Sequence, residues 1–256
     1  MRKIFLLALL ISFANDIFSQ ANLLNAKNPL EIGDSSASSK AIGEFVDYED
    51  VDDKDILWSK VVYEFIDLNE RLNFPLLFPV NDTKYDDTRK SLWRVLRENI
   101  ENGKISEVYD SNNDNFTEAS RIMGKDSTDL EANIYKNYNI TDIYKSKYVP
   151  ESFVPREIAS SADIFGYVIK GVWYFDKIHA ELRYRLLAIQ PYGTDLKTSV
   201  DGEETETGYF WIWYPSIREI LDDHLVFNDK NNNNRVSFDE LLINRRFSSY
   251  IYKYDN

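Results

Sequence analysis

Between residues 55 and 80, large apolar side chains recur at intervals of three and four positions. This spacing places them along one side of a helix, and further apolar residues lie beside that stripe. Two prolines end the pattern, because proline lacks the N–H that a helix interior requires. The sequence therefore predicts a first helix with an apolar stripe and a defined end: Leu57, Val61, Phe65, Leu68 and Leu72, then Pro75 and Pro79.

A second helix is predicted over residues 88–102, where four apolar side chains share one face. Gly103 follows at the position where a left-handed cap ends a helix. A short strand is expected near residues 105–109, and residues 110–115 have the composition of a turn. The next thirty residues are polar, with a weak helical pattern.

From residue 164 the pattern has a period of two, which is typical of strands. A reversal at Asp176 separates two such runs, so we expect a hairpin whose second strand has one solvent-exposed face. Residues 193–208 form a long acidic loop. Residues 209–214 (YFWIWY) are apolar on both faces, which indicates either a central strand or an edge that another subunit covers.

Two more helices are expected near the end, over residues 216–224 and 238–250. The fold class is therefore predicted to be α+β, because helices and strands separate along the chain. Helices occupy the N-terminal half, an antiparallel hairpin region occupies the C-terminal half, and a short C-terminal helix follows. We expect one domain over residues 54–256.

The N-terminus has the features of a secretory signal peptide over residues 1–19. Arg2 and Lys3 precede an apolar run that is too short to span a bilayer, and Ser19 offers a small residue for cleavage. Residues 20–53 contain few large apolar side chains and many carboxylates, so we expect an extended acidic arm. It is either a passive tail or a segment that docks on a basic neighbour.

Charge and cysteine content exclude several function classes. The formal net charge is −13, which disfavours nucleic-acid binding and direct membrane insertion because phosphates and anionic lipids are repelled. The chain contains no cysteine, so disulfides, thiol catalysis, cysteine-ligated metals and a lipid-modified cysteine are all excluded. Any association with a membrane must therefore come through another protein.

One segment, residues 229–240 (DKNNNNRVSFDE), matches the twelve-residue loop of an EF-hand. Its oxygen ligands would come from Asp229, Asn231, Asn233, Arg235 (through its carbonyl), Ser237 and Glu240. Asn234 replaces the usual glycine, and few of the ligands are charged. The two hypotheses are a calcium site, with Ca²⁺ as the one possible cofactor, and an asparagine-rich structural turn.

No catalytic motif is present. The chain has two histidines, His179 and His224, and neither lies in a nucleophile or metalloprotease motif. We therefore expect a protein that is not an enzyme. The many aromatic residues are expected mostly in the core, and residues 209–214 and 247–254 are the segments most suited to an interface.

An ordered series of segments resembles the GldN/PorN family of gliding-motility proteins. The series comprises LWSKVVYEFIDLNERLNFPLLFP (57–79), SLWRVLRENIENGKI (91–105), DSNNDNF (110–116), IKGVWYFD (169–176), FWIWYP (210–215), FDELL (238–242) and FSSYIYK (247–253). The resemblance covers most of the chain from about residue 50 onward.

The resemblance implies a structural role in the type IX protein secretion system, in protein export across the outer membrane and in gliding. The protein would form a periplasmic ring with copies of itself. It would be held at the inner face of the outer membrane by the lipoprotein GldK (PorK), and would contact the periplasmic part of GldM (PorM). The alternative function is a periplasmic calcium-binding interaction module built on residues 229–240.

Overall fold

The computed structural model describes residues 47–81, 90–121, 159–194, 206–226 and 236–255. Within these ranges the chain forms an antiparallel sheet of seven strands. The strands are β1 (Ile56–Asp67), β2 (Tyr109–Asp110), β3 (Ile164–Asp176), β4 (Glu181–Thr194), β5 (Glu206–Gly208), β6 (Phe210–Trp213) and β7 (Tyr250–Tyr254). They lie in the order β2-β6-β4-β3-β1-β7, and β5 pairs with β4 beside β6.

Four α-helices accompany the sheet in the described part of the chain. They are α1 (Phe74–Leu77), α2 (Leu92–Glu101), α3 (Tyr214–Asp222) and α4 (Phe238–Ile243). Among the described residues, no helix has the length and apolar character needed to cross a membrane.

The prediction of a helical N-terminal half is wrong. Residues 56–67 form strand β1, which pairs along its length with β3, so the sheet extends through both halves of the chain. A spacing of four residues is ambiguous, because positions i, i+4 and i+8 also share one face of a strand. Val61, Val62 and Ile66 are β-branched, and apolar residues occupy both faces, which is typical of a central strand.

Other predicted elements are confirmed. Helix α2 begins after Ser91, whose hydroxyl accepts the N–H of Arg94, and Gly103 follows its end with φ of 71°. β3 and β4 form the predicted hairpin. The prediction that one face of β4 is exposed to solvent is wrong beyond the first residues of the strand, because Arg185 is buried. The predicted last helix is shorter than expected: it ends at Ile243, and β7 follows.

The core lies on both faces of the sheet. One cluster packs the sheet against α2, α3 and α4, and we call this side the helix face. The second cluster lies on the opposite side. The alternation of β6 shows the division: Phe210 and Ile212 belong to the first cluster, Trp211 and Trp213 to the second. Residues 209–214 are buried between β2 and β4, so this segment is part of the core and not the interface suggested by the sequence.

Candidate interaction surface

A buried ion pair holds the segment that leads into β7. Glu64 of β1 is 1% exposed, and Arg245 reaches it with two nitrogens, at 3.0 and 2.6 Å. The Ser249 hydroxyl donates to the same carboxylate at 2.6 Å. A buried carboxylate requires such partners, because removing its charge from water is otherwise costly. The contact therefore fixes the C-terminal segment on the helix face of β1.

The backbone around Arg245 is shaped for this contact. Its φ of 50° lies in the left-handed region, and its N–H donates to the carbonyl of Leu242 at 3.2 Å as α4 ends. Its guanidinium also lies 4.2 Å from the ring centre of Tyr184. Asn73, which is buried, exchanges two hydrogen bonds with the backbone of Ser248, at 2.9 and 2.8 Å. Residues 245–249 are thus held at several points.

Strand β7 follows as the last strand of the sheet, and all five of its residues are exposed. Tyr250 and Tyr252 lie on the face opposite the helices, with ring centres 5.7 Å from Phe65 and 6.4 Å from Tyr63 respectively. Tyr254 lies on the other face, with the Lys60 ammonium 4.1 Å from its ring centre. β7 therefore presents aromatic side chains on both faces.

Beside β7, the face opposite the helices carries an open groove of about 500 Å³. Its floor is one cross-strand row, in which Phe65, Val168 and Gln190 are register partners on β1, β3 and β4. Tyr250 and Tyr252 form one wall, and β5 with residues 111–112 forms the other. The volume lies within the range of ligand pockets, and four of the eleven lining residues are aromatic: Phe65, Tyr192, Tyr250 and Tyr252.

A charged cluster fixes one end of β7 to the turn after β2. The Lys253 ammonium lies 3.0 Å from the Asp114 carboxylate, and Lys170 donates to the Asp114 carbonyl at 2.8 Å. Burial raises the pKa of Asp114, but hydrogen bonds from Tyr63 and Lys253 outweigh it and hold that pKa below its ordinary value. For Lys170 the effect of burial has the opposite sign: it lowers the pKa, because burial disfavours the charged ammonium group.

The described end of the predicted acidic arm docks on the basic residues of its own chain. The Tyr48 ring lies between two guanidinium groups, 4.7 Å from Arg185 and 4.2 Å from Arg218, and its hydroxyl donates to the Leu186 carbonyl at 3.1 Å. Glu49 pairs with Arg183 at 2.9 Å. Burial raises the pKa of Tyr48 well above its ordinary value. Residues 20–46 lie outside the described part of the chain.

A buried network beneath this contact joins α3 to α4. Arg218 donates to both oxygens of Asp239, at 3.1 and 3.0 Å, and the Tyr214 hydroxyl donates to the same carboxylate at 2.8 Å. Burial raises the pKa of Asp239 even though Arg218 opposes the shift. Since Arg245 follows α4 directly, this network also helps to place the C-terminal segment.

The predicted calcium loop is described in part. Asp229, Asn231, Asn233 and Arg235 lie outside the described residues. Ser237 caps α4, accepts the N–H of Glu240 at 3.0 Å and donates to Asp222 at 2.8 Å. Glu240 pairs with Arg246 at 3.3 Å. The described residues contain no group of three potential metal ligands, and the calcium site stays a prediction.

The two histidines have structural contacts. His179 lies 2.8 Å from Asp176 in the β3–β4 turn. His224 is within 2.8 Å of the Ile220 carbonyl at the end of α3.

Sequence reasoning missed the Glu64–Arg245 pair. A lone carboxylate in the apolar run of residues 61–66 was the available signal, because a strand buried on both faces leaves such a group no access to water.

Comparison with known proteins gives one result. A family model described as "Gliding motility associated protein GldN" matches residues 51–256. No curated protein matches the chain. The match begins just before β1 and includes every strand and helix described above, so it concerns the whole folded unit. The chain therefore belongs to the GldN family, as its sequence segments predicted, and this membership implies involvement in gliding motility and type IX secretion.

Proposed function

We propose that this protein is a non-enzymatic structural subunit of the periplasmic ring of the type IX secretion system, acting in protein export across the outer membrane and in gliding. Family membership supports the system, and the aromatic groove beside β7 is the observation that carries the structural role. Tyrosine and phenylalanine are enriched at protein interfaces, where they supply large contact areas.

The partners are proposed on the same basis. A lipoprotein of the GldK (PorK) type would hold the protein at the inner face of the outer membrane, because the chain has no cysteine for lipid attachment. The periplasmic part of GldM (PorM) and further copies of the chain would complete the assembly. A ring of identical subunits requires two different patches that meet on neighbouring copies, and the groove is one such patch.

The experiment that tests this proposal introduces a large side chain into the groove and measures assembly. Asn112 is exposed in the groove wall, and Asn115 is exposed on the same turn outside the groove, so Asn112→Trp and Asn115→Trp form a matched pair. We expect Asn112→Trp to reduce both crosslinking between copies of the chain and cargo secretion at least tenfold. Asn115→Trp should retain both.

Three results would contradict the proposal. One is secretion that continues unchanged after deletion of the protein. Another is a folded chain that retrieves no envelope protein after crosslinking in cells. The third is turnover of a substrate by the purified protein. Circular dichroism of both tryptophan variants shows whether a loss of function reflects binding or misfolding.

A further inference from the structure

We propose that the outer edge of β7 pairs in antiparallel orientation with β7 of a second copy of this chain, about a two-fold axis at Tyr254. β7 is bonded to β1 on one side. On its other side, no strand of the described ranges is paired with it. A strand edge of this kind presents backbone N–H and C=O groups that fit the edge of another strand.

The edges of the sheet differ in a way that singles out β7. β2 has two residues and β5 has three, so neither offers a long edge. β7 has five residues and contains neither proline nor glycine, and its register with β1 shifts once, before Lys253. Proteins that remain monomeric commonly block an edge with proline or with a free lysine, but Lys253 is tied to Asp114 at 3.0 Å. Within the described part of the chain, the edge from Lys253 onward is therefore open to pairing.

The backbone of β7 fixes which groups point outward. The N–H of Asp255 donates to the carbonyl of Val61 at 3.1 Å, so Asp255 faces β1. Successive residues of a strand direct their backbone groups to opposite sides, and the N–H and C=O of Tyr254 therefore point away from β1. Two copies that meet at Tyr254 would exchange both hydrogen bonds between these groups.

Charge favours a second copy as the occupant. With the axis at Tyr254, Lys253 of each copy lies directly opposite Asp255 of the other, which makes two cross-strand pairs of opposite charge. Moving the axis by one residue would place Lys253 opposite itself. Opposite charges in such positions stabilise strand pairing, and like charges oppose it. Residues 253–255 of the two copies thus face each other with complementary charges in this one register.

The strand is also held in place before any partner arrives. Arg245 is bound to Glu64 ahead of β7, and Lys253 is bound to Asp114 near its end. A pre-ordered strand loses less conformational entropy on association than a free segment does. The contact does not depend on the proposed secretion role, because it arises from the edge of the sheet alone.

The absence of native cysteine allows a direct test. Residues that face each other in a hydrogen-bonded antiparallel pair have Cα atoms about 5.5 Å apart, within the span of a disulfide. We expect Tyr254→Cys in the full chain to form a covalent dimer under mild oxidation. Ile178→Cys is the control, because Ile178 is 69% exposed in the distant β3–β4 turn, and it should stay monomeric.

A second measurement avoids cysteine. Sedimentation of the unmodified chain should show a concentration-dependent dimer, and Asp255→Lys should weaken it at least tenfold by placing lysine opposite lysine. Circular dichroism checks that the variant is folded. A folded chain that stays monomeric would overturn the proposal. Protection of the Tyr254 amide from hydrogen exchange in such a monomer would mean that another segment of the same chain covers this edge. Faster crosslinking of Tyr252→Cys than of Tyr254→Cys would overturn the stated axis.

Discussion

Glu64 and Arg245 stand 181 residues apart in the chain and form a two-point ion pair, with distances of 3.0 and 2.6 Å. The carboxylate is buried on β1, and the guanidinium comes from the turn that follows α4. Their contact determines where the C-terminal segment leaves the helix face and where β7 begins. The position of the outermost strand, β7, therefore depends on the buried Glu64 carboxylate of β1.

We expect Glu64→Gln to lower the free energy of unfolding by about 3 kcal/mol, because removal of one partner leaves a partly buried arginine without its counter-charge. Urea unfolding measures the loss. Glu70→Gln is the control, since Glu70 is exposed and should change stability by less than about 0.5 kcal/mol. The double variant Glu64→Gln with Arg245→Met should lose less stability than the sum of the two single-variant losses, because both substitutions remove the same contact. Additive losses would contradict the pairing.

Asp114 should make stability sensitive to acid. Its folded-state pKa is lowered by hydrogen bonds from Tyr63 and Lys253 that outweigh the opposing effect of burial. A lowered pKa contributes stability above the unfolded-state pKa, and that contribution is lost as pH falls through the folded-state pKa. We therefore expect the loss of stability between about pH 7 and about pH 3 to be smaller in Asp114→Asn than in the unmodified chain. Urea titrations at both pH values test this, and an unchanged difference would refute it.

Two substitutions at Tyr48, in the docked end of the arm, should lower the free energy of unfolding by different amounts. Tyr48→Phe removes the hydrogen bond to the Leu186 carbonyl, and we expect a loss of about 1 kcal/mol. Tyr48→Ala also removes the ring between Arg185 and Arg218, and the loss should rise to about 3 kcal/mol. Hydrogen exchange of residues 47–51 should increase in the second variant. If the two variants behaved alike, the stacking would contribute nothing.

The calcium hypothesis has its own measurement. Ser237 and Glu240 already have protein partners in Asp222 and Arg246. We therefore expect calorimetry to detect no heat at about millimolar calcium, the affinity range of the weakest calcium modules. Heat that disappears in Glu240→Gln would establish a site. Heat that persists in that variant would indicate binding elsewhere.

Local signals predicted the elements that local chemistry determines. The apolar face of α2 and Gly103 after its end were both predicted from the sequence, whereas the predicted start at residue 88 lies before the observed cap at Ser91. The β3–β4 hairpin was visible because its strands alternate about a reversal at Asp176. In each case the information lies within a few residues of the element.

Long-range partners determined what local signals missed. β1 was predicted as a helix because its apolar positions fit both periods, and only its pairing with β3 on one side and β7 on the other decides between them. The groove depends on the alignment of Phe65, Val168 and Gln190 across three strands. No spacing within one segment carries that alignment, because register is set by tertiary packing.

The two faces of the sheet are covered differently, so the two sides of the molecule are not equivalent. Helices close one side, while the other side keeps a groove bordered by β7. A binding partner that recognises the groove therefore always meets the subunit in the same orientation. Copies that bind a partner in this groove would all present their helix face in the same direction.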